Sequence, residues 1–242
     1  MQREYHRWYS PNLHRDMELL IFGHSGARVL FFPTRMARYY DYENWGMIKA
    51  LEEKINQGWL QLYCLDSVDQ ESFYSYWRCP RGRIERHLQY ERYIMEEVLP
   101  FSIEKNANSY LMSAGCSFGA YHAVNIAFRH PHQFSKVVAM SGRYDLTTPV
   151  GVFQDLLENY YDEDLYFIMP SHYMPNLEDE ENLNEIRKMD IVLAVGQEDV
   201  FLGSNQHLSA TLDGKNINHI FSIWDGEAHR ARYWRKMIDL YL

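Results

Sequence analysis

A serine flanked by small residues is the position in this chain best suited to do chemistry. The pentapeptide Gly115-Cys116-Ser117-Phe118-Gly119 has the pattern Gly-x-Ser-x-Gly, and it lies between an apolar run over 109–114 and a helical pattern over 120–128. A strand, a sharp turn centred on serine and a helix form a nucleophile elbow, which projects the serine hydroxyl above the sheet. Because this turn is tightly packed, residues 115 and 119 must be small. The pattern predicts a serine nucleophile at position 117.

A serine nucleophile needs a base, because a neutral hydroxyl is a weak nucleophile. The last predicted strand, over 219–224, is followed by Asp225-Gly226-Glu227-Ala228-His229. Catalytic groups of parallel sheets lie beyond the carboxyl ends of the strands, so His229 is placed where a base is needed. We predict that His229 removes the proton of Ser117 as the serine attacks an acyl carbonyl.

The base in turn needs an acid that fixes its tautomer and stabilises the imidazolium. The strand predicted over 190–195 ends in Gly196-Gln197-Glu198-Asp199. Asp199 is our prediction for the acid, because serine, acid and histidine then follow in one of the orders known for serine hydrolases. Glu198, one position earlier, and Asp145, after another strand end, remain alternatives.

The developing oxyanion needs two preorganised hydrogen-bond donors. The backbone N–H of Phe118, directly after the nucleophile, is predicted to be one of them. The second is expected from the loop after the strand predicted over 28–32. In that loop we choose the N–H of Arg35, with Met36 as the alternative.

Composition limits the classes of partner. The chain has 242 residues and a net charge of −9, which disfavours nucleic-acid binding because phosphate neutralisation needs a cationic surface. We expect neither a signal peptide nor a membrane span, since no apolar run is long enough. The three cysteines include no Cys-x-x-Cys pair, so we expect a reducing cytoplasm, no metal site and no cofactor.

Short apolar strands alternate with helical segments along the chain, which is typical of a mostly parallel sheet covered by helices on both faces. We predict one domain over 1–242, with an irregular insertion over 144–183. Strands over 17–22 and 28–32 are expected to pair as an antiparallel N-terminal hairpin across a glycine-containing turn.

Three helical predictions depend on local signals. Apolar residues at 3–4 spacing predict a helix over 43–56. A second helix is expected over 84–98, ended by Pro100. A short helical piece is expected over 153–159.

Together these residues resemble the putative-esterase branch of the α/β-hydrolase superfamily, which includes esterase D and the mycolyltransferase antigens. Residues 115–120 are similar to its elbow, 196–199 to its acid turn, and His229 to Trp234 to its terminal histidine followed by tryptophan. The segment 30–45, with Pro33 and an aromatic run, is similar to its oxyanion loop and first helix, but it has no glycine there. The resemblance spans nearly the whole chain and implies a three-layer fold and carboxylic ester hydrolysis or acyl transfer without a cofactor.

The resulting hypothesis is a serine carboxylesterase that acts on a small-molecule ester through an acyl-enzyme. An acyltransferase, or a thioester, peptide or polyester hydrolase, would use the same three residues. A non-catalytic binding protein is a further alternative, although it would have no need for all three. Aromatic residues over 72–77 and 160–173 are candidates for the walls of an acyl pocket.

Overall fold

The computed structural model describes all residues from 1 to 242, and its centre is a single eight-stranded sheet. The strand order is β1-β2-β4-β3-β5-β6-β7-β8, and only the pairs β1/β2 and β2/β4 are antiparallel. This mostly parallel arrangement confirms the predicted fold class. The strands are β1 (Arg3–Ser10), β2 (Arg15–Phe22), β3 (Ala27–Phe32), β4 (Leu60–Leu65), β5 (Leu111–Cys116), β6 (Lys136–Met140), β7 (Asp190–Gly196) and β8 (Ile220–Trp224).

Helices cover both faces of the sheet, which gives the three layers. The α-helices are α1 (Asp41–Asn44), α2 (Met47–Ala50), α3 (Glu52–Asn56), α4 (Pro80–Tyr93), α5 (Leu99–Lys105), α6 (Phe118–Arg129), α7 (Glu163–Ile168), α8 (Pro170–Tyr173), α9 (Glu180–Lys188), α10 (Leu202–Gly214) and α11 (Ala231–Tyr241). One core lies between the sheet and α4, α6, α9 and α10. A second core lies on the opposite face under α1 to α3 and α11. Strands β4 and β5 are buried at every position, as expected for central strands covered on both faces.

The N-terminal antiparallel hairpin exists, but only one of its strands is a predicted one: β2 contains the strand predicted over 17–22, whereas its hairpin partner is β1 and not the strand over 28–32. β2 pairs with β1, and β4 lies between β2 and β3. The glycine-containing turn between β2 and β3 therefore crosses the start of β4. The approach is close, since a Cβ on Gly26 would lie 2.2 Å from the backbone of Trp59. Sequence reasoning overlooked β1 because it is an edge strand in which exposed and half-buried residues alternate, with few apolar signals.

Helix boundaries differ from prediction where the backbone changes locally. The predicted helix over 43–56 is three short helices, interrupted at Gly46, which has a φ of 72°. The helix predicted over 84–98 does not end at Pro100: α4 passes through a π-helical turn over Ile94–Val98 directly into α5, which contains Pro100. Pro100 then falls in the first turn of α5, where its missing N–H is not needed. No helix forms over 153–159; Phe153 instead makes an isolated bridge with Val150.

The segment after β6 lies over the carboxyl ends of the strands and packs on the elbow. Its apolar side chains join those of the loop over 66–79 in a third cluster that includes Phe73, Phe118, Leu146 and Leu157. This cluster connects the insertion to the start of α6, directly beside Ser117. No helix combines the length and the apolar character needed to cross a lipid bilayer.

Candidate active site

Ser117 occupies a strained turn between β5 and α6. Its backbone has φ 56° and ψ −117°, a conformation that residues with a side chain rarely adopt. A Cβ on Gly115 would lie 2.2 Å from the carbonyl oxygen of Gly119, and a Cβ on Gly119 would lie 2.2 Å from that of Phe32. Both glycines are therefore required for this backbone path, which is the geometry of a nucleophile elbow.

The side chains of Ser117, His229 and Asp199 form a hydrogen-bonded chain across three strand ends. Ser117 Oγ lies 3.0 Å from His229 Nε2, and His229 Nδ1 lies 3.0 Å from Asp199 Oδ2. Asp199 is only 5% exposed, and its Oδ1 also accepts a hydrogen bond of 2.9 Å from the N–H of Phe201. The imidazole is flanked by the rings of Phe201 and Trp234, which restrict its orientation.

The two alternative acids lie elsewhere. Asp145 accepts hydrogen bonds from the hydroxyl groups of Thr147 and Thr148, and its carboxylate is 3.4 Å from His172. Glu198 is exposed, and its side chain makes no hydrogen bond. Of the three carboxylates considered from the sequence, Asp199 is the one that contacts His229.

Two backbone N–H groups near Ser117 are free to bind an oxyanion. The N–H of Phe118 is in the first turn of α6, where it has no partner within the helix. The N–H of Arg35 makes no hydrogen bond to another backbone group or side chain, and the Arg35 side chain lines the same pocket as Ser117. The N–H of Met36 is already donated to Asp69 Oδ2 at 2.8 Å, which makes Met36 the weaker choice.

Asp69 is a residue of the site that sequence reasoning missed. This carboxylate is buried, holds the N–H of Met36 and lies 3.3 Å from His122 Nε2 in α6. Met36 has a φ of 56°, so the Asp69 hydrogen bond fixes a loop whose backbone is strained. No local signal identifies Asp69, because its partners are 33 and 53 residues away in the chain.

Tyr42 is a second residue that sequence reasoning missed. Its hydroxyl donates to the carbonyl of Phe32 at 2.7 Å and accepts from the N–H of Cys116 at 3.0 Å. It thus joins the end of β3, where the loop that contains Arg35 begins, to the end of β5, where the turn of Ser117 begins. The aromatic run over 39–42 was the available signal, but it does not show which tyrosine makes the connection.

A pocket of about 280 Å³ opens beside Ser117 and His229. Its walls are mainly aromatic, and the loop over 66–79 contributes Tyr74. No residue from 160–173 lines it, although that segment was a candidate for a wall. The remaining lining residues are Thr34, Arg35, Trp45, Phe118, Arg143, Phe153, Phe201 and Trp234.

The electrostatics of the site favour the serine over the adjacent cysteine as nucleophile. Burial raises the pKa of the Cys116 thiol, so the reactive thiolate is disfavoured. Arg143, which also lines the pocket, has its guanidinium pKa lowered by burial. No group of three or more His, Cys, Asp or Glu side chains that could hold a metal ion occurs in the chain.

The sheet order, the elbow and the position of the pocket define the class as an α/β-hydrolase fold, and solved structures agree. The chain is similar to a ferulic acid esterase at 15% identity, covering 99% of this chain and 95% of that one, with a TM-score of 0.78. It is also similar to the S-formylglutathione hydrolase FrmB from Staphylococcus aureus, at 15% identity, 99% and 96% coverage and a TM-score of 0.70. MPT51 (FbpC1) from Mycobacterium tuberculosis matches at 13% identity, 99% and 96% coverage and a TM-score of 0.72.

The family model described as "Putative esterase" matches residues 43–236, most of the chain. The chain therefore belongs to this family, which confirms both the resemblance and the expected enzyme class, a carboxylic ester hydrolase. No curated protein sequence matches the chain.

Proposed function

We propose that the protein is a serine carboxylesterase that forms an acyl-enzyme on Ser117. The observation that carries this proposal is the continuous chain of hydrogen-bonding distances from Ser117 Oγ through the imidazole of His229 to Asp199. A histidine between a serine hydroxyl and a buried carboxylate is the arrangement that activates serine for attack on an acyl carbonyl. Family membership supports the same reaction class.

In the proposed first half-reaction, His229 Nε2 takes the hydroxyl proton while Ser117 Oγ attacks the ester carbonyl carbon. The N–H groups of Phe118 and Arg35 bind the oxyanion of the tetrahedral intermediate. Asp199 accepts the hydrogen bond from His229 Nδ1–H and stabilises the imidazolium. His229 then gives its proton to the leaving alcohol, and the acyl group stays on Ser117.

In the second half-reaction a water molecule replaces the alcohol. His229 takes one proton from this water as its oxygen attacks the acyl-enzyme carbonyl. Collapse of the second intermediate returns the proton to Ser117 Oγ and releases the carboxylic acid. The mainly aromatic pocket suits an apolar portion of the ester. We further propose that residues 1–242 work as one domain in the cytoplasm, an assignment compatible with the three free cysteines.

A fluorophosphonate probe tests the nucleophile directly. The expected adduct, mapped by mass spectrometry of the digested protein, is on Ser117. Hydrolysis of 4-nitrophenyl butyrate should fall by about 10³-fold or more in kcat for Ser117→Ala and for His229→Ala, because the hydroxyl and its base act as one unit. Ser113→Ala is the matched control, since this buried hydroxyl donates to the carbonyl of Ala123 and does not line the pocket.

Two results would contradict the proposal. One is an adduct on any residue other than Ser117. The other is a Ser117→Ala variant that is folded, by circular dichroism, and hydrolyses the ester at the wild-type rate. Faster turnover when an alcohol acceptor is added than in water alone would instead indicate an acyltransferase that uses the same acyl-enzyme.

A further inference from the structure

Two positively charged side chains line the pocket beside Ser117, and no carboxylate side chain lines it. The guanidinium groups of Arg35 and Arg143 make no hydrogen bond to a carboxylate. This concentration of positive charge runs against the composition, because 33 acidic residues outnumber 24 basic ones in the chain. The pocket lining therefore has two positive side chains and no negative one, within an acidic protein.

Arg143 carries a buried charge whose hydrogen bonds go only to neutral acceptors. This residue is 3% exposed, and its Nε and Nη2 donate to the backbone carbonyls of Asp145, Thr148 and Gln154. Its Nη1 has no hydrogen-bond partner. Neutral amide donors could hold those carbonyls without the cost of burying a charge. The carboxylates of Asp145 and Asp155 attract the Arg143 guanidinium, but neither forms a hydrogen bond to it.

Arg35 places the second charge at the exposed side of the pocket. Its guanidinium lies over the rings of Tyr74 and Phe153, at 5.7 and 5.8 Å from their centroids. These two rings come from different loops, so the side chain is held between them by cation–π contacts. All of its N–H donors remain free for a ligand.

Positive charge continues outside the pocket. Trp45 lines both the active-site pocket and a neighbouring groove, which also contains Lys49, Arg232, Arg235 and Lys236. The single acidic residue of that groove is Asp239. A cationic surface that leads into a pocket attracts anionic ligands over distances of about a Debye length, roughly 8–10 Å.

Building on the proposed function, we propose that the ester hydrolysed at Ser117 carries a carboxylate group, which binds to the guanidinium groups of Arg143 and Arg35. Guanidinium binds carboxylate through charge-assisted hydrogen bonds, and these are stronger than hydrogen bonds between neutral groups. The carboxylate is not altered in the reaction: water cleaves the ester, and the anionic group leaves with the acid or with the alcohol. The rest of the ester contacts the aromatic walls.

Matched pairs of anionic and neutral esters test this substrate class. The acyl-side pair is the 4-nitrophenyl monoester of adipic acid and its primary-amide analogue, and the alcohol-side pair is 4-carboxyphenyl and 4-carbamoylphenyl butyrate. For at least one pair, kcat/KM should be about 10- to 100-fold higher for the anionic ester, the range expected of charged hydrogen bonds. This ratio should fall as NaCl rises, because salt screens the charges.

Variants of Arg35 and Arg143 test whether these two side chains cause the preference for anionic esters. The anionic-to-neutral ratio should fall about 10-fold in Arg35→Gln and stay near the wild-type value in Arg35→Lys, which keeps the charge. Arg143→Gln should lower this ratio similarly. If Arg143→Gln does not fold, the ratio measured for Arg35→Gln tests the proposal on its own. Arg92→Gln is the matched control, since it removes one exposed positive charge of α4 outside the pocket. Its ratio should equal that of the wild type.

The failures of the two proposals are distinguishable. Hydrolysis of all four esters with equal anionic and neutral kcat/KM overturns the anionic substrate but leaves the esterase intact. A preference for the anionic ester that persists in every folded arginine variant also overturns this assignment. Absence of hydrolysis together with absence of a fluorophosphonate adduct on Ser117 overturns the proposed function itself.

Discussion

Asp199 and Asp145 follow neighbouring strands, and only their contacts tell them apart. The Asp199 carboxylate contacts His229 Nδ1 with both oxygens, at 3.0 and 3.2 Å. The Asp145 carboxylate instead holds the turn that contains Thr147 and Thr148. A residue-level difference in hydrogen bonding thus decides between candidates that sequence position alone leaves open.

The first prediction compares the two asparagine variants. Asp199→Asn should lower kcat by about 10⁴-fold, because the asparagine amide stabilises the wrong tautomer of the histidine. Asp145→Asn should change kcat by less than about 10-fold, since its partners do not touch the reacting atoms. Steady-state kinetics with 4-nitrophenyl butyrate measures both. A severe Asp145→Asn with a mild Asp199→Asn would reverse the assignment of the acid.

The second prediction concerns Asp69, which we place as a positioning residue for the oxyanion loop. Asp69→Ala removes the acceptor of the Met36 N–H and should lower kcat by about 10- to 100-fold, somewhat less than the loss of an oxyanion donor. KM should change little, because Asp69 does not line the pocket. Asp69→Asn keeps one acceptor oxygen and should recover much of the rate. Equal losses in both variants, or a loss confined to KM, would contradict this role.

Close backbone packing between elements keeps Ser117 in its strained turn. α6 begins against the end of β3, so a Cβ on Gly119 would lie 2.2 and 2.6 Å from the carbonyl oxygens of Phe32 and Pro33. Gly203 in α10 is the opposite case, since a Cβ there meets no atom within 4 Å and the position is exposed. The same substitution should therefore act in opposite directions at these two glycines.

The third prediction is that Gly119→Ala lowers the melting temperature and abolishes fluorophosphonate labelling, because its Cβ forces β3 and α6 apart. Gly203→Ala, in the first turn of α10, should raise the free energy of unfolding by up to about 1 kcal/mol, since alanine has a higher helix propensity than glycine. For a chain of this size, a gain of about 1 kcal/mol corresponds to a rise of about 2–4 °C in the melting temperature. Differential scanning calorimetry checks both. An unchanged melting temperature in Gly119→Ala would show that the elbow has room for a side chain.

Elements with a strong local signal were predictable from the sequence, and those set by partners were not. The apolar runs over 28–32, 109–114 and 190–195 were recognised because they become β3, β5 and β7, and buried parallel strands are apolar throughout. The pairing of 17–22 with 28–32 was wrong, because the insertion of β4 between them depends on contacts distant in the chain. The expected stop at Pro100 was wrong because a π turn moves the proline into the first turn of a new helix.

In the candidate site, too, some residues could be predicted from the sequence and others could not. Ser117, Asp199 and His229 all follow parallel strands, so the fold class alone predicts that they meet at one edge of the sheet. Their roles remain predictions until the variants are measured. Asp69 and Arg143 also follow strands of the sheet, β4 and β6, but neither belongs to a known catalytic motif, so strand position alone did not distinguish them from the other residues of these loops.

At the scale of the whole molecule, buried titratable groups couple stability to pH. The side chain of His87, in α4, is only 3% exposed and packs against the rings of Phe73 and Tyr121. Burial, together with the nearby His122, lowers the pKa of His87 to about 3. In the unfolded chain the pKa of histidine is about 6.5, so between these values only the unfolded state binds the proton. Stability is then fully present above pH 6.5 and is lost as the pH falls toward 3.

The fourth prediction is that His87→Phe flattens this dependence. Its Nδ1 has no hydrogen-bond partner, and its Nε2 makes only a long contact of 3.4 Å with the Tyr121 hydroxyl. Because Tyr121 keeps its bond to the carbonyl of Ile168, the substitution costs little hydrogen bonding. The wild type should lose about 1.4 kcal/mol more unfolding free energy per pH unit than the variant over the pH range in which only the unfolded state is protonated. Urea unfolding at pH 7, 6, 5 and 4 measures this difference. The exposed His207, changed to Gln, should keep the wild-type slope. Parallel slopes for wild type and His87→Phe would mean that His87 takes up its proton in the folded protein as readily as in the unfolded chain.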